Sequence, residues 1–253
     1  ETLRKMKTVK DTLLQRRSIR RYEREDIPAE TMDFIYEAIR NTPTSYNGQQ
    51  FSVIDITDQT IKEKIYELTS QKQIKTCRHF LVFCADYYKI KQLADSKDID
   101  FPHFEKTLDG VIVGIVDATL AMMSALTAAE SAGLGTCCIG YTRTAAPEAV
   151  SRLLSLPQGT FIVCGLAIGV PREMPDLKPK QPVGTVIHRN VYKTEGLVES
   201  LMKYDLEIEN YNRTRSGEKT SNDWASHIID YYRAAMDYKM LDAIRRRGFD
   251  VES

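Results

Sequence analysis

The sequence lacks a net charge, and it lacks the residue spacings that build metal sites. Lys plus Arg and Asp plus Glu number 35 each, so the formal net charge at pH 7 is zero. Balanced charge argues against a general nucleic-acid or anionic-membrane binder. The four histidines show no HxxxH or HxH pairing, and no zinc pattern joins them to the five cysteines. We therefore expect no metal site.

Cysteine usage and the N-terminal segment both point to a reducing compartment. The number of cysteines is odd, and most lie in apolar runs, where a thiol packs as a small hydrophobic group. Adjacent Cys137 and Cys138 are expected on opposite faces of a strand, which prevents a shared ligand. No apolar signal core precedes the first predicted helix. The sequence predicts a cytoplasmic protein without a membrane contact.

The most apolar segment, 108–132, is predicted to be a long buried helix. Its only charges are Asp109, Asp117 and Glu130, so it would have almost no solvated side. The charge-free run 118–129 is shorter than the ~20 residues that cross a bilayer, so protein must cover it. At ~1.5 Å per residue the helix would be about 40 Å long, which indicates that a second subunit supplies part of the cover.

Hydrophobic periodicity predicts an α+β or α/β domain with one mixed sheet. We predict strands at 51–57, 80–85, 136–140, 160–168 and 183–188. Further helices are predicted at 9–16, 27–41, 61–68, 146–154, 199–210 and 224–247. Segment 87–103 fits either a mobile flap or a surface helix. No seam divides the chain, so 1–253 is predicted to be one domain whose helical C-terminal extension, 199–253, embraces a partner subunit.

Three polar segments have compositions suited to a ligand. If segment 16–22 (RRSIRRY) is extended, Arg16, Ser18 and Arg20 share one face. This basic cluster fits a solvated face, a nucleic-acid patch, or a pocket for a phosphate and an electron-rich ring. Loop 42–50 is rich in hydroxyls and amides, and segment 176–182 holds two lysines between prolines.

In order and spacing, the motifs RRSIRRY, TPTSYNGQQF, ELTSQKQ, GLGTCCIGYTR and LPQGTFIVCGLAIGVPREMPDLKPKQP resemble the flavin-dependent nitroreductase family. More narrowly, they are similar to its larger NADPH-linked branch of oxygen-insensitive nitroreductases and flavin reductases. The likeness spans about 13–192 and continues more weakly over 211–228. It implies an α+β sandwich, with a central mixed sheet surrounded by helices around a long buried helix. It also implies an intertwined homodimer with FMN at the interface.

The resemblance implies a phosphate site built from the basic segment and the two lysines. Arg16 and Ser18, in the same segment as Arg17, would meet the FMN phosphate and ribityl chain. Lys178 and Lys180 would close on the phosphate from the far side. Arg16 stands where this branch often has histidine, and Lys180 stands where arginine is usual. Lys180 keeps the charge but loses the bidentate fork of arginine.

The resemblance also implies a set of contacts to the flavin ring. Arg20 would lie at the pyrimidine edge, and the Gln71 amide would bond the ring. The Ile139-Gly140-Tyr141 loop would present backbone N–H groups near flavin N5, with Tyr141 replacing a second glycine. The other subunit would bring a loop of small polar residues, which match here as Thr44, Ser45 and Asn47. Arg215 matches a basic residue of a mobile loop that meets the nicotinamide cofactor's phosphate.

The implied function is that of an FMN-dependent oxidoreductase with ping-pong turnover. NADPH or NADH would deliver a hydride to FMN, and a nitroaromatic or quinone would take it, with Arg215 favouring NADPH. No Ser/His/Asp triad and no paired acid and base occur at a recognisable spacing, which suits a cofactor that carries the chemistry. One alternative is an NADPH-flavin reductase that supplies free reduced flavin. Another, of a different class, is a flavin-free nucleic-acid or protein interaction module that uses the cluster 16–21.

Overall fold

A computed structural model describes residues 6–251 of the chain. These residues fall into two units. The first comprises the described parts of Glu1–Met174 and Lys239–Ser253, and the second is Pro175–Tyr238. The first unit contains the sheet and both hydrophobic clusters, and the second contains helices only. The single-domain organisation with an extension at 199–253 stays a prediction.

The sheet has four strands, β1 (Phe51–Ile56), β2 (His79–Asp86), β3 (Gly135–Ile139) and β4 (Thr160–Gly169), in the order β1-β2-β4-β3. Every neighbouring pair is antiparallel. The prediction of a mixed sheet is therefore wrong for these strands. β2 and β3 run in the same direction, as a helical crossover requires, but β4 lies between them and opposes both. Among residues 6–251, parallel pairing occurs at one isolated β-bridge, which joins Ser18 and Thr136.

The described part of the chain has twelve α-helices. They are α1 (Val9–Gln15), α2 (Ala29–Arg40), α3 (Gln59–Thr69), α4 (Lys72–Thr76), α5 (Tyr88–Ser96), α6 (Leu108–Ser131), α7 (Tyr141–Thr144), α8 (Pro147–Leu153), α9 (Val183–Val186), α10 (Leu197–Thr214), α11 (Trp224–Ala235) and α12 (Met240–Arg245). The surface-helix interpretation of segment 87–103 is confirmed by α5.

The long helix α6 is buried on one face and exposed on the other. Its N-terminus is capped by Thr107, whose hydroxyl accepts from the Gly110 N–H at 3.0 Å. Small residues let the buried face approach the sheet and α2, and Ala118, Ala121, Ala125 and Ala129 are fully buried. Leu108, Ile112, Val116, Leu120 and Met123 lie exposed on α6. By length and composition α6 could cross a membrane, but half of its most apolar stretch is buried inside the protein.

The end of the chain packs into the core of the first unit. Phe249 is fully buried, with its ring edge-on to Phe161 at 4.7 Å and close to Tyr87 at 5.9 Å. Gly248 adopts φ +91°, which a residue with a Cβ rarely takes, and turns the chain after α12. Part of the segment predicted to embrace a partner therefore completes the chain's own core.

Two predicted elements are wrong. The segment predicted as a strand at 183–188 instead contains α9, a single helical turn that begins after Pro182. The Thr185 hydroxyl donates to the Pro182 carbonyl at 2.8 Å and stabilises this turn. Its residues are largely exposed and have no strand beside them, so these β-branched residues have no neighbouring strand with which to form β-sheet hydrogen bonds. The helix at 224–247 is divided into α11 and α12, with non-helical Lys239 between them.

Candidate functional site

The basic segment 16–22 lies along the free edge of β3, held there by buried residues. Ser18 bridges Thr136, and the Ile19 N–H donates to the Thr136 carbonyl at 2.8 Å. Ile19 and Tyr22 are buried, and the Tyr22 hydroxyl donates to the Ile19 carbonyl at 2.6 Å. Since these residues fill the core, the neighbouring arginines remain at the surface, where Arg20 is exposed.

Arg16 is held beside a buried carboxylate. Its Nε lies 3.6 Å from Glu130 Oε1, and the same oxygen accepts from the Thr136 hydroxyl at 2.5 Å. Burial raises the pKa of Glu130, while the Thr136 hydroxyl and the Arg16 charge oppose that rise. The Arg16 Nε is itself buried and has no hydrogen-bond acceptor among the described residues. Such an orphaned cationic donor fits an anionic ligand such as a phosphate.

Glu173 positions the backbone of the arginine segment. Its Oε1 accepts from the backbone N–H of Arg20 at 2.7 Å and from that of Arg21 at 3.2 Å. Its Oε2 lies 3.8 Å from the Arg21 Nε. The carboxylate is therefore occupied by backbone amides and Arg21, which leaves the Arg20 guanidinium without an ion pair in the described part of the chain. Sequence reasoning missed Glu173, because nothing in its local pattern separates it from a surface glutamate.

Gln71 lies next to the cavity that Arg20 lines. The two neighbours of Gln71, Ser70 and Lys72, line that cavity together with Arg20. The Gln71 Oε1 accepts from the Gln73 Nε2 at 3.0 Å, which orients the amide. The structure thus brings together Arg20 and the segment around Gln71, which are about fifty positions apart in the sequence.

The Ile139-Gly140-Tyr141 loop stands at the end of strand β3. Gly140 has an ordinary φ of −70°, so its backbone conformation does not require glycine. A Cβ added there would meet only the Arg143 guanidinium at 3.6 Å, an ordinary contact. The packing of the chain therefore leaves room for a Cβ at this position, with one ordinary contact. An uncrowded turn without a side chain fits the close approach of a flat ring.

Loop 44–50 is pinned to the middle of α6 by Asp117. This fully buried carboxylate accepts from the backbone N–H of Ser45 at 3.1 Å and from that of Gln50 at 3.3 Å. The Thr44 hydroxyl accepts from the Gln49 N–H at 3.2 Å. Sequence reasoning did not assign Asp117, although one charge inside an apolar helix is the signal that such a residue has a polar partner.

The outer part of this loop projects into solvent in a strained conformation. Tyr46, Asn47 and Gln49 have φ between +52° and +58°, the left-handed region that non-glycine residues seldom occupy. Tyr46 is 87% exposed. Of the three predicted site residues here, Thr44 and Ser45 are half-buried and Asn47 is exposed. Strain held by specific bonds is common in ligand-binding loops.

The remaining predicted site residues lie in the second unit, where α10 organises them. Tyr204 donates to the Pro179 carbonyl at 3.3 Å, between Lys178 and Lys180. Asp176 accepts from the Ser216 N–H at 2.6 Å, and the neighbouring Arg215 Nε donates to the Glu218 carbonyl at 2.6 Å. The lysine segment and the turn containing Arg215 are therefore brought together. Arg17 lies in the first unit, with its Nε donating to the Gln15 carbonyl at 3.1 Å.

Comparison with known proteins places this architecture in one family. Residues 13–170 match the nitroreductase family, and 178–252 match that family's C-terminal domain. The chain is 36% identical over 250 residues to the FMN reductase (NAD(P)H) of Bacillus subtilis, covering 98% of this chain and 100% of that protein. It is 34% identical over 220 residues to the oxygen-insensitive NADPH nitroreductase of Salmonella typhimurium, covering 86% and 88%. The solved structure of B. megaterium NfrA2 has 33% identity and a TM-score of 0.91, and the match covers 97% of this chain and 99% of that one. The chain therefore belongs to the nitroreductase family.

Proposed function

We propose that the protein is an FMN-dependent NAD(P)H oxidoreductase that passes a hydride from NADPH, or less readily NADH, to a nitroaromatic or a quinone in a ping-pong cycle. FMN, when bound, supplies the two-electron chemistry that amino-acid side chains lack. The observation that carries the proposal is the uncrowded backbone of Gly140, at the end of the strand whose edge holds the arginine segment. A flat anionic ligand suits both features.

Arg16, Ser18, Lys178 and Lys180 are proposed to hold the FMN phosphate, with Arg17 supporting the segment. Each charge-assisted hydrogen bond contributes about 1.5–3 kcal/mol, so three or four cations with ring burial reach the ~8 kcal/mol of micromolar binding. The Nε of Arg16 supports this assignment, because it is buried and donates no hydrogen bond to the described residues.

The ring-binding groups are proposed to orient the cofactor and stabilise its reduced form. Arg20 would hold a positive charge at the pyrimidine edge, where reduction places negative charge. Gln71 would bond the ring, and the Ile139-Gly140-Tyr141 backbone would face the reacting side. The exposed side chain of Tyr141 would border the substrate. Arg215 is proposed to meet the phosphate of NADPH.

A homodimer is proposed to complete the site. The exposed apolar side chains of α6 border a groove of about 510 Å³, whose lining includes Phe34, Leu120 and Met123. A second copy of the chain would cover this groove, since α6 is the feature that needs apolar cover. In that dimer the projecting loop would bring Thr44, Ser45 and Asn47 to the partner's flavin. Cysteine usage supports a cytoplasmic location.

An NADPH-flavin reductase that releases reduced flavin is the second candidate, and the similarity to a protein named FMN reductase favours it. The two candidates differ in the preferred acceptor. Steady-state kcat/KM values for free FMN, a nitroaromatic and a quinone, each at saturating NADPH, rank them directly. The flavin-free interaction module is disfavoured by family membership.

The primary test is an absorbance spectrum of the purified protein, followed by anaerobic addition of NADPH. Flavin bands that bleach on addition and return with a nitroaromatic or quinone are expected. Arg20→Gln should lower the reduction potential of the bound flavin, whereas Arg24→Gln, an exposed arginine of the same region, should leave it unchanged. A colourless protein that takes up no added FMN would refute the proposal.

A further inference from the structure

Four cationic side chains line one cavity of about 710 Å³ on the first unit. They are Arg20, Arg21, Lys72 and Arg172, and the rest of the lining comes from Tyr22, Ser70, Gln73 and Thr76. Arg16, Ser18 and Gly140, which are proposed to meet the flavin, do not line this cavity. Arg20 is the one residue proposed for the flavin ring that also lines the cavity.

Long-range backbone contacts assemble the cations from three parts of the sequence. The Arg172 N–H donates to the Arg21 carbonyl at 3.0 Å, next to the bridge between Tyr22 and Pro171. This pairing sets Arg172 beside the arginine segment. The opposite side is formed where α4 begins at Lys72. The cavity is therefore a product of the fold and has no counterpart in any local sequence pattern.

Most of the positive charge of the cavity has no ion-pair partner among residues 6–251; Arg21, which pairs with Glu173, is the exception. Glu173, the carboxylate nearest to the arginines, is bound to two backbone N–H groups and lies 3.8 Å from Arg21. Within residues 6–251, the side chains of Arg20, Lys72 and Arg172 form no ion pair. Like charges gathered around a concavity repel one another and concentrate anions from solution.

We propose that this cavity binds the anionic group, phosphate or carboxylate, of the electron acceptor. The inference rests on the proposed function, because it takes Arg20 to mark the flavin ring edge. In an acceptor such as nitrobenzoate the carboxylate lies one ring away from the nitro group, so a carboxylate held next to Arg20 leaves the nitro group close to the flavin ring. The volume also exceeds that of a lone phosphate and falls within the range of small-molecule sites, about 300–1,000 Å³.

The test compares a charged and a neutral acceptor of similar size. Binding of 4-nitrobenzoate and of neutral 4-nitrobenzyl alcohol to the oxidised holoenzyme is measured by titration calorimetry without reductant. Lys72→Gln and Arg172→Gln should each weaken nitrobenzoate binding about threefold to tenfold and spare the alcohol, and the loss should shrink at high salt. Matched controls are Lys64→Gln and Arg24→Gln, which remove exposed charges away from the cavity and should change neither ligand.

Steady-state kinetics identify which charged group the cavity accepts. A phosphate site predicts that the variants raise KM for FMN and leave KM for riboflavin unchanged, with NADH as reductant. A carboxylate site predicts the same contrast for the nitrobenzoate pair. Equal effects on charged and neutral acceptors, or a loss seen with NADPH and absent with NADH, would overturn the proposal. If the holoenzyme does not oxidise NAD(P)H but still binds nitrobenzoate selectively, the proposed function fails and the anion site stands.

Discussion

Replacing Asp117 by asparagine removes the carboxylate that holds loop 44–50 against α6. Asp117 is fully buried and accepts from two backbone N–H groups, those of Ser45 and Gln50. Asparagine has nearly the same shape but offers one oxygen and turns an NH₂ donor toward the second N–H. One hydrogen bond is therefore lost, and the other changes from charged to neutral.

The expected loss follows from these two contacts. A hydrogen bond to a charged group contributes about 1.5–3 kcal/mol and a neutral one about 0.5–1.5 kcal/mol, so Asp117→Asn should cost about 2–4 kcal/mol. Relief of the desolvated charge reduces this to about 2–3 kcal/mol. The backbone strain at Tyr46, Asn47 and Gln49 already raises the free energy of this loop, so the loop depends on the hydrogen bonds that hold it. At about 2–4 °C per kcal/mol for a chain of this size, Tm should fall by about 4–12 °C.

The assay is thermal unfolding at fixed protein and FMN concentrations, with an FMN titration of each variant. Asp109→Asn is the matched control, since Asp109 is exposed in the first turn of the same helix and its loss should cost at most about 1 kcal/mol. Asp117→Asn should also weaken FMN binding if the loop reaches the partner's flavin. A Tm within about 1 °C of the Asp109→Asn value would show that the carboxylate does not hold the loop.

Three further predictions test other contacts. Gly140→Ala should leave Tm unchanged, because the added Cβ meets only an ordinary contact, yet weaken FMN binding about tenfold (about 1.4 kcal/mol); Gly135→Ala, whose Cβ would fall 2.8 Å from the Ile19 side chain, should lower Tm instead. Because burial raises the pKa of Glu130, the folded chain binds that proton more tightly than the unfolded chain. The resulting stability is complete below the ordinary glutamate pKa and is lost as pH rises through the raised pKa, a slope in Tm against pH that Glu130→Gln should flatten. Arg247 donates to the carbonyls of residues 156, 157 and 160. Arg247→Met should therefore lower the free energy of unfolding, measured by chemical denaturation, by about 2–4 kcal/mol. The control Arg246→Met removes an exposed ion pair and should lower it by at most about 1 kcal/mol.

The elements that sequence periodicity predicted well are those whose burial pattern is local. The strand at 80–85 is part of β2, which is buried at every residue after His79, and the helix at 27–41 contains α2, whose Met32, Ile35 and Ile39 are buried as its spacing requires. The strand predicted at 183–188 failed because β-propensity describes a surface that another strand must pair with. The break after α11 carries no glycine or proline, so no local signal marked it.

The candidate site shows the same division. The motifs identified the arginine segment, the polar loop and the glycine turn, and the assigned roles of their residues stay predictions. Local pattern did not reveal the two carboxylates that support them, Asp117 and Glu173. Each accepts hydrogen bonds from backbone N–H groups far away in the sequence. A backbone N–H is present in nearly every residue type, so a sequence motif cannot indicate which one is the donor.

The sequence by itself determined where most helices and strands form, which of their faces are apolar, and which family the chain resembles, because these depend on periodicity and motif order along one stretch of chain. Only the tertiary structure decided that β4 enters between β2 and β3, that Ser18 pairs with Thr136, and that Phe249 returns to the core. Only the fold gathered the four cations around one cavity. The physical reason is that these contacts join residues tens to hundreds of positions apart, and their stability depends on shape and desolvation that no local window contains.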